Sequence, residues 1–170
     1  MEQPIISGVS QDLSEAKITV TAVPDRPGEA ALVFETLADL GVNLDMIVQN
    51  VSADGSTDIT FTLPTADLGA ASAALLDRQA EIGFGELLQD EGIAKVSLVG
   101  AGMRSHPGVS ATFFRTLADA GVNVEMISTS EIRISVVTRA EDAAKAVQAL
   151  HSSFGLDADG EAVVYAGTGR

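Results

Sequence analysis

Placing Pro27 on Pro107 puts Gly28 on Gly108 and Thr36-Leu37-Ala38-Asp39 on Thr116-Leu117-Ala118-Asp119. It also sets Gly41-Val42-Asn43 on Gly121-Val122-Asn123 and Asp45 on Glu125. Upstream, "AKITVTAV" (16–23) matches "AKVSLVGA" (94–101), with two extra residues in the second turn. Identity this dense, broken by one small offset, means that the chain holds two copies of one module. A chain of 170 residues must then fold as two small domains rather than one large one.

Within each copy the hydrophobic period changes in a fixed order. Ile18, Val20 and Ala22 alternate as a strand. Past the Pro-Gly turn, Val33, Leu37 and Leu40, with Ala30 and Phe34 beside them, mark one face of a helix, and Gly41 ends it at a C-cap position. Residues 43–51 read as a second strand and Ile59, Phe61 and Leu63 as a third, joined by the hairpin "SADGS". A second helix over about 66–82 and a fourth strand, "FGELLQD", complete the copy. The second copy repeats this order. Ile132, Ile134 and Val136 point one way on its third strand, Val147, Leu150 and Phe154 line its second helix, and "EAVVYAG" closes it. The order βαββαβ predicts an α+β fold: two ferredoxin-like modules in tandem, each an antiparallel sheet with two helices on one face. The boundaries read as an N-terminal segment 1–15, a first module 16–92 and a second module 93–170. "PIISGVS" is expected to be an additional edge strand, of a module the sequence does not identify.

The core chemistry suits this fold. Apolar residues make up 46% of the chain and aromatics 4%, so Val, Ile, Leu and Ala must pack strands under Ala-rich helices. A formal charge of −14 repels phosphate backbones and anionic lipid, which argues against nucleic-acid and membrane partners. There is no Cys, hence no disulfide and no thiolate metal site. The N-terminus has no signal-peptide pattern, and no stretch approaches the roughly 18 apolar residues of a membrane helix. A cytoplasmic protein is expected.

"LVGAGMRSHPG" carries Gly100 and Gly102 after a strand, as a dinucleotide fingerprint would, with Glu125 further on. The third glycine position is Ser105, however, and the first copy has no Gly-x-Gly, so the Rossmann reading is weak. His106 stands before Pro107 in a turn and His151 lies on a helix near apolar residues; two isolated histidines make no metal site. Arg26 and Arg104 precede their Pro-Gly turns without the glycine-flanked phosphate loop of an acylphosphatase. No catalytic residue, metal site or cofactor site is expected.

The Pro-Gly turn has a physical use. Pro suits the first turn of a helix because its missing N–H would have no helical partner there. Gly beside it lets another molecule approach the backbone. The first N–H groups then point outward at the positive end of the helix dipole, suited to a carboxylate. A plain strand-to-helix turn would explain one copy. Two copies, each upstream of an Asn with an acid beside it, favour binding of an amino acid.

With "DRPGEA" (25–30), "KVSLVGAGM" (95–103) and above all "NVEMISTSEIRISVV" (123–137), the whole chain resembles the tandem ACT regulatory region of aspartokinases. The nearest resemblance is to the separate regulatory (β) subunit of the actinobacterial type, inhibited by threonine and lysine together. A fragment of a longer chain would read the same way. No kinase domain and no Lys-Phe-Gly-Gly nucleotide motif is present, so the resemblance implies regulation and no site for ATP or aspartate. It implies effector sites where the turn of one module meets the second strand of another in a partner chain. Threonine would be held by Asp25, Pro27, Gly28, Glu29, Ala30 and Gln49 from one chain, with Asn123 and Val124 from the other. Lysine would be held by Val109 and Ser110 with Asp45, Ser130 and Glu131. The assembly implied is a homodimer when isolated and an α2β2 complex with the catalytic α subunit. The hairpin in "NVSADGSTD" is shorter than the family's. A stand-alone ACT sensor controlling another enzyme is the other reading.

Overall fold

The computed structural model describes residues 5–156 and the backbone of 164–166. The chain divides into two compact units, residues 14–91 and residues 1–13 together with 92–170. The first unit contains β2 (Glu15–Pro24), α1 (Glu29–Asp39), β3 (Ile47–Val51), β4 (Ser56–Pro64), α2 (Leu68–Asp77), α3 (Gln79–Ile82) and β5 (Leu87–Asp90). The second begins with β1 (Ile5–Asp12) and resumes with β6 (Ile93–Ala101), α4 (Pro107–Asp119), β7 (Met126–Thr129), β8 (Arg133–Arg139), α5 (Ala143–Ser153) and β9 (Val164–Ala166).

In the first unit the sheet order is β3-β4-β2-β5, every neighbour antiparallel. Ile18 lies opposite Phe61 and Val20 opposite Ile59, so the alternating apolar residues of two strands share one face. That face packs on Val33 and Leu37 of α1 and on Leu68, Ala71 and Leu75 of α2. Burying each of the larger side chains contributes about 1.5–3 kcal/mol. Leu40, expected on the core face, is instead the C-cap of α1 and 46% exposed.

Both copies of "LAD-x-GVN" end their helix the same way. The N–H of Gly41 bonds to Ala38 and that of Val42 to Leu37; Gly121 and Val122 repeat this on Ala118 and Leu117. This is the Schellman pattern, which needs a left-handed residue, and Gly41 (φ +70°) and Gly121 (φ +73°) supply it. The second helix of the first copy is not continuous. It breaks at Arg78, whose guanidinium donates to Thr36 Oγ1 at 2.8 Å and reaches forward to Glu81. The second strand is shorter than expected because Thr62 intervenes: it accepts from the N–H groups of Asp45 and Met46 through its carbonyl and hydroxyl, so ladder pairing starts at Ile47.

The second unit departs from the expected sheet. Its order is β7-β8-β6-β1-β9. β1 is therefore an interior strand and not an edge, antiparallel to β6 and parallel to β9. The physical reason lies in register. On β6, Val9, Ser10, Gln11 and Asp12 face Leu98, Ser97, Val96 and Lys95. On β2, Leu87, Leu88, Gln89 and Asp90 face Val20, Thr19, Ile18 and Lys17. "VSQD" thus takes in one sheet the place that "LLQD" takes in the other, each ending on an Asp opposite the repeated Lys. With that edge of β6 occupied, the closing strand pairs with β1; the rest of "EAVVYAG" lies outside the described residues. The core joins Val9, Val96, Leu98, Phe113, Leu117, Ile134, Val136, Val147 and Leu150. Ile132 does not share the face of Ile134 and Val136: it precedes β8 and is 56% exposed.

Candidate functional site

Each Pro-Gly turn is latched to the tip of its unit's central hairpin. In the first unit the Asp25 N–H donates to the Gly55 carbonyl at 3.0 Å. The hairpin tip is itself shaped by Asp54, which accepts from the Ser56 hydroxyl and N–H; these bonds, the hydroxyl's first, hold its carboxyl below the ordinary value. In the second unit Met103 donates to the Glu131 carbonyl at 3.1 Å and Gly100 to that of Ile132 at 2.9 Å. Neither α1 nor α4 has a side-chain cap. The turn carbonyls of Arg26 and His106 accept the N–H groups of Glu29 and Val109, and with no side-chain cap the N–H groups beside them, at Ala30 and Gly108, are left to solvent or a ligand.

The two turns differ in detail. Pro107 is the first residue of α4, as expected, but α1 starts at Glu29 and Pro27 lies outside it. Gly28 is the N-cap with φ +96°, a left-handed conformation that a helix cannot begin with from Pro27. No atom comes within 4 Å of where a Gly28 Cβ would stand, so the glycine is required by its dihedral rather than by crowding. Before the turn, Ala22 takes φ +51° at a bulge in β2, a conformation that costs a non-glycine residue about 1–2 kcal/mol. Asp58 Oδ1 holds it by accepting the Ala22 N–H at 2.9 Å.

Of the residues expected to bind threonine, Asp25, Pro27, Gly28, Glu29 and Ala30 follow one another on the first turn. Glu29 pairs with Arg26 at 2.9 Å and keeps its other carboxyl oxygen buried with no hydrogen-bond partner. Ala30 is half-buried against the core. Gln49 is exposed on the edge strand β3. Asn123, exposed, and Val124, half-buried, belong to the other unit.

Of the residues expected to bind lysine, Ser110 and Ser130 line one cleft of about 230 Å³ together with Met103, Arg104 and Thr129. Val109 is not aimed at it: the side chain is buried in the core and its N–H bonds to His106. Glu131 is exposed at the hairpin tip, and Asp45 is exposed in the other unit. Sequence reasoning missed Arg104 and Thr129 as cleft residues. In sequence Arg104 is only an arginine ahead of a Pro-Gly turn, and nothing local says that the hairpin folds back over it.

The glycines of "LVGAGM" have structural work. A Cβ on Gly100 would run into the Ile5 carbonyl of β1. Gly102 has φ +71°, and the His106 imidazole packs beside it, Nδ1–H donating to its carbonyl at 2.7 Å. His151 lies half-buried on α5. Among the described residues no cluster of His, Asp or Glu could hold a metal ion, and no helix is long and apolar enough to cross a membrane.

The ACT domain family matches the chain twice, over residues 18–79 and 96–154. An aspartokinase of Mycobacterium tuberculosis is 60% identical over 173 residues, covering all of this chain and 41% of that one. The chain thus spans about two fifths of the length of that relative. The ligand-free regulatory subunit of aspartate kinase from Thermus thermophilus superposes with a TM-score of 0.84 at 43% identity, over 88% of this chain and 99% of that one. A chain from a crystal structure of aspartokinase alpha and beta subunits matches with a TM-score of 0.83, also at 43% identity over 88% and 99%.

Proposed function

Because the chain belongs to the ACT-domain family and corresponds to the regulatory part of aspartokinase, we propose that it binds threonine and lysine and so places aspartate phosphorylation under feedback control in the cytoplasm. The observation that carries this reading is the duplicated turn: two helix starts without a side-chain cap, each preceded by residues hydrogen-bonded to the hairpin tip of their unit. An amino acid offers a carboxylate for the helix end and an ammonium for carbonyls and acids. Threonine is assigned to the first turn, at Asp25, Pro27, Gly28, Glu29, Ala30 and Gln49, with Asn123 and Val124 of a second copy. Lysine is assigned to the second turn, at Val109, Ser110, Ser130 and Glu131, with Asp45 of a second copy. Two copies of the chain pair when isolated and join two catalytic subunits in an α2β2 assembly.

Inhibition on this reading is a coupling free energy between effector sites and kinase site, commonly about 1–3 kcal/mol. Mixing the chain with an aspartokinase catalytic subunit tests it, with aspartyl phosphate formation followed under each effector alone and both together. Inhibition should need the chain and be strongest with both amino acids. A mixture that ignores both amino acids, or a chain that makes aspartyl phosphate alone, sinks the proposal.

A narrower result is expected at Ala30. It is the second residue of α1, half-buried at the turn where threonine is assigned, so a larger side chain there is expected to collide with the ligand. Ala30→Thr should weaken threonine binding by about 1–3 kcal/mol at unchanged melting temperature. Calorimetry that finds the affinity unaltered removes Ala30 from the site.

A further inference from the structure

We infer that Arg104 is the carboxylate anchor of the second unit's cleft, taking the α-carboxylate of its amino-acid ligand. This deepens the assignment of lysine to the second turn and rests on it. Three observations meet at this side chain.

The first is charge. In a chain with ten basic and 24 acidic residues, a cation is readily claimed by a carboxylate. Arg26, Arg78, Arg115, Arg139 and Lys145 each pair with one, and Lys17 and Lys95 have partners as well. Among the described cations only Arg104 and Arg133 have side chains with neither an ion pair nor a hydrogen bond within the described residues. The second is place. Arg104 lines the cleft, and among the described residues it is the only ionisable one that does.

The third is the company it keeps. Ser110, Thr129 and Ser130 bring hydroxyls and Met103 and Ile134 an apolar wall, beside the uncapped start of α4. A volume of about 230 Å³ lies below the roughly 300–1,000 Å³ of drug-sized sites, which suits a ligand as small as an amino acid. A guanidinium matches a carboxylate through paired N–H donors. It repels an ammonium, so the ε-ammonium of lysine must point out of the cleft, away from Arg104, while the carboxylate points in. The first copy's turn is built differently: its arginine, Arg26, is already neutralised by Glu29.

The test is calorimetric titration of the 170-residue chain with L-lysine and with L-lysinamide, which lacks the carboxylate. Arg104→Gln is compared with Arg133→Gln, which removes the same charge from a residue that does not line the cleft. Losing a charge-assisted pair should weaken lysine tenfold or more, roughly, in Arg104→Gln alone. Lysinamide should bind weakly and equally to wild type and Arg104→Gln. An unchanged lysine affinity, equal losses in the two variants, or an equal loss for lysine and lysinamide overturns the anchor. A wild-type chain that binds no lysine overturns the placement of lysine in this cleft, and the anchor with it. A wild-type chain that binds neither lysine nor threonine removes the regulatory reading itself.

Discussion

Deleting residues 1–13 should unfold the second unit while the first stays folded. β1 is the strand between β6 and β9, and its register with β6 runs from Ile5 opposite Ala101 to Asp12 opposite Lys95. Without it β6 loses a ladder of backbone bonds, each worth about 0.5–1.5 kcal/mol net. The core also loses Val9, fully buried against Val96, Leu98 and their neighbours, at a further cost of about 1.5–3 kcal/mol. Together these approach the whole stability of a small domain, about 5–15 kcal/mol. β2, the first strand of the remaining unit, pairs with β4 and β5 and not with β1. Amide spectra of the deleted chain should keep dispersed signals for residues 15–90 and lose them for 93–150. A fully dispersed spectrum, or collapse of the first unit alone, contradicts this account.

Gly100→Val should cost the second unit about 3 kcal/mol or more. The new Cβ meets the Ile5 main-chain carbonyl, with the Ile6 Cα also close, and no rotamer change can move a backbone atom. Ordinary overpacking costs about 1–3 kcal/mol, so this clash belongs at or beyond the upper end. It would be relieved by peeling Ile5 and Ile6 off β6, beyond the register shift that already separates Ile6 from Gly8. Gly108→Ala is the contrast: it lies in α4 with nothing within 4 Å of its Cβ position, and should be neutral or stabilising by about 0.4–1 kcal/mol. Urea unfolding of the three proteins decides; a Gly100→Val midpoint equal to wild type refutes the close approach.

The parts of this fold legible in the sequence are those written in local chemistry. Gly41 and Gly121 end their helices because a left-handed residue is needed there, and the flanking "LAD" and "VN" mark the same turn twice. Periodicity likewise placed Ile18, Val20, Ile59, Phe61 and Leu63 on one buried face. Strand neighbours are a different kind of fact. That β1 inserts beside β6 depends on pairing across some 80 residues, and its trace, Gln11-Asp12 echoed by Gln89-Asp90 before the shared Ala-Lys, lies upstream of the turn that draws the eye. Ile132 failed for a similar reason: its alternation with Ile134 is real, but the chain turns before the strand begins. The candidate site was legible as a turn and two hydroxyls. Arg104 was not, because its importance lies in what the rest of the chain's cations are doing.

The pairing of β1 with β6, with the whole first unit between them in the chain, makes the order of folding matter. Closing β1 onto β6 across an open chain of about 80 residues would cost roughly 4 kcal/mol of loop entropy. The first unit removes most of that cost once folded, because its entry and exit strands are neighbours, Lys17 opposite Asp90. Its ends therefore deliver residues 12 and 92 close together, and the host sheet closes over a short span. The dependence runs one way: the inserted unit can fold without its host, whereas the host closes at low entropic cost only around a folded insert. A substitution that loosens the insert should thus slow the refolding of the outer sheet, although it removes none of that sheet's own contacts.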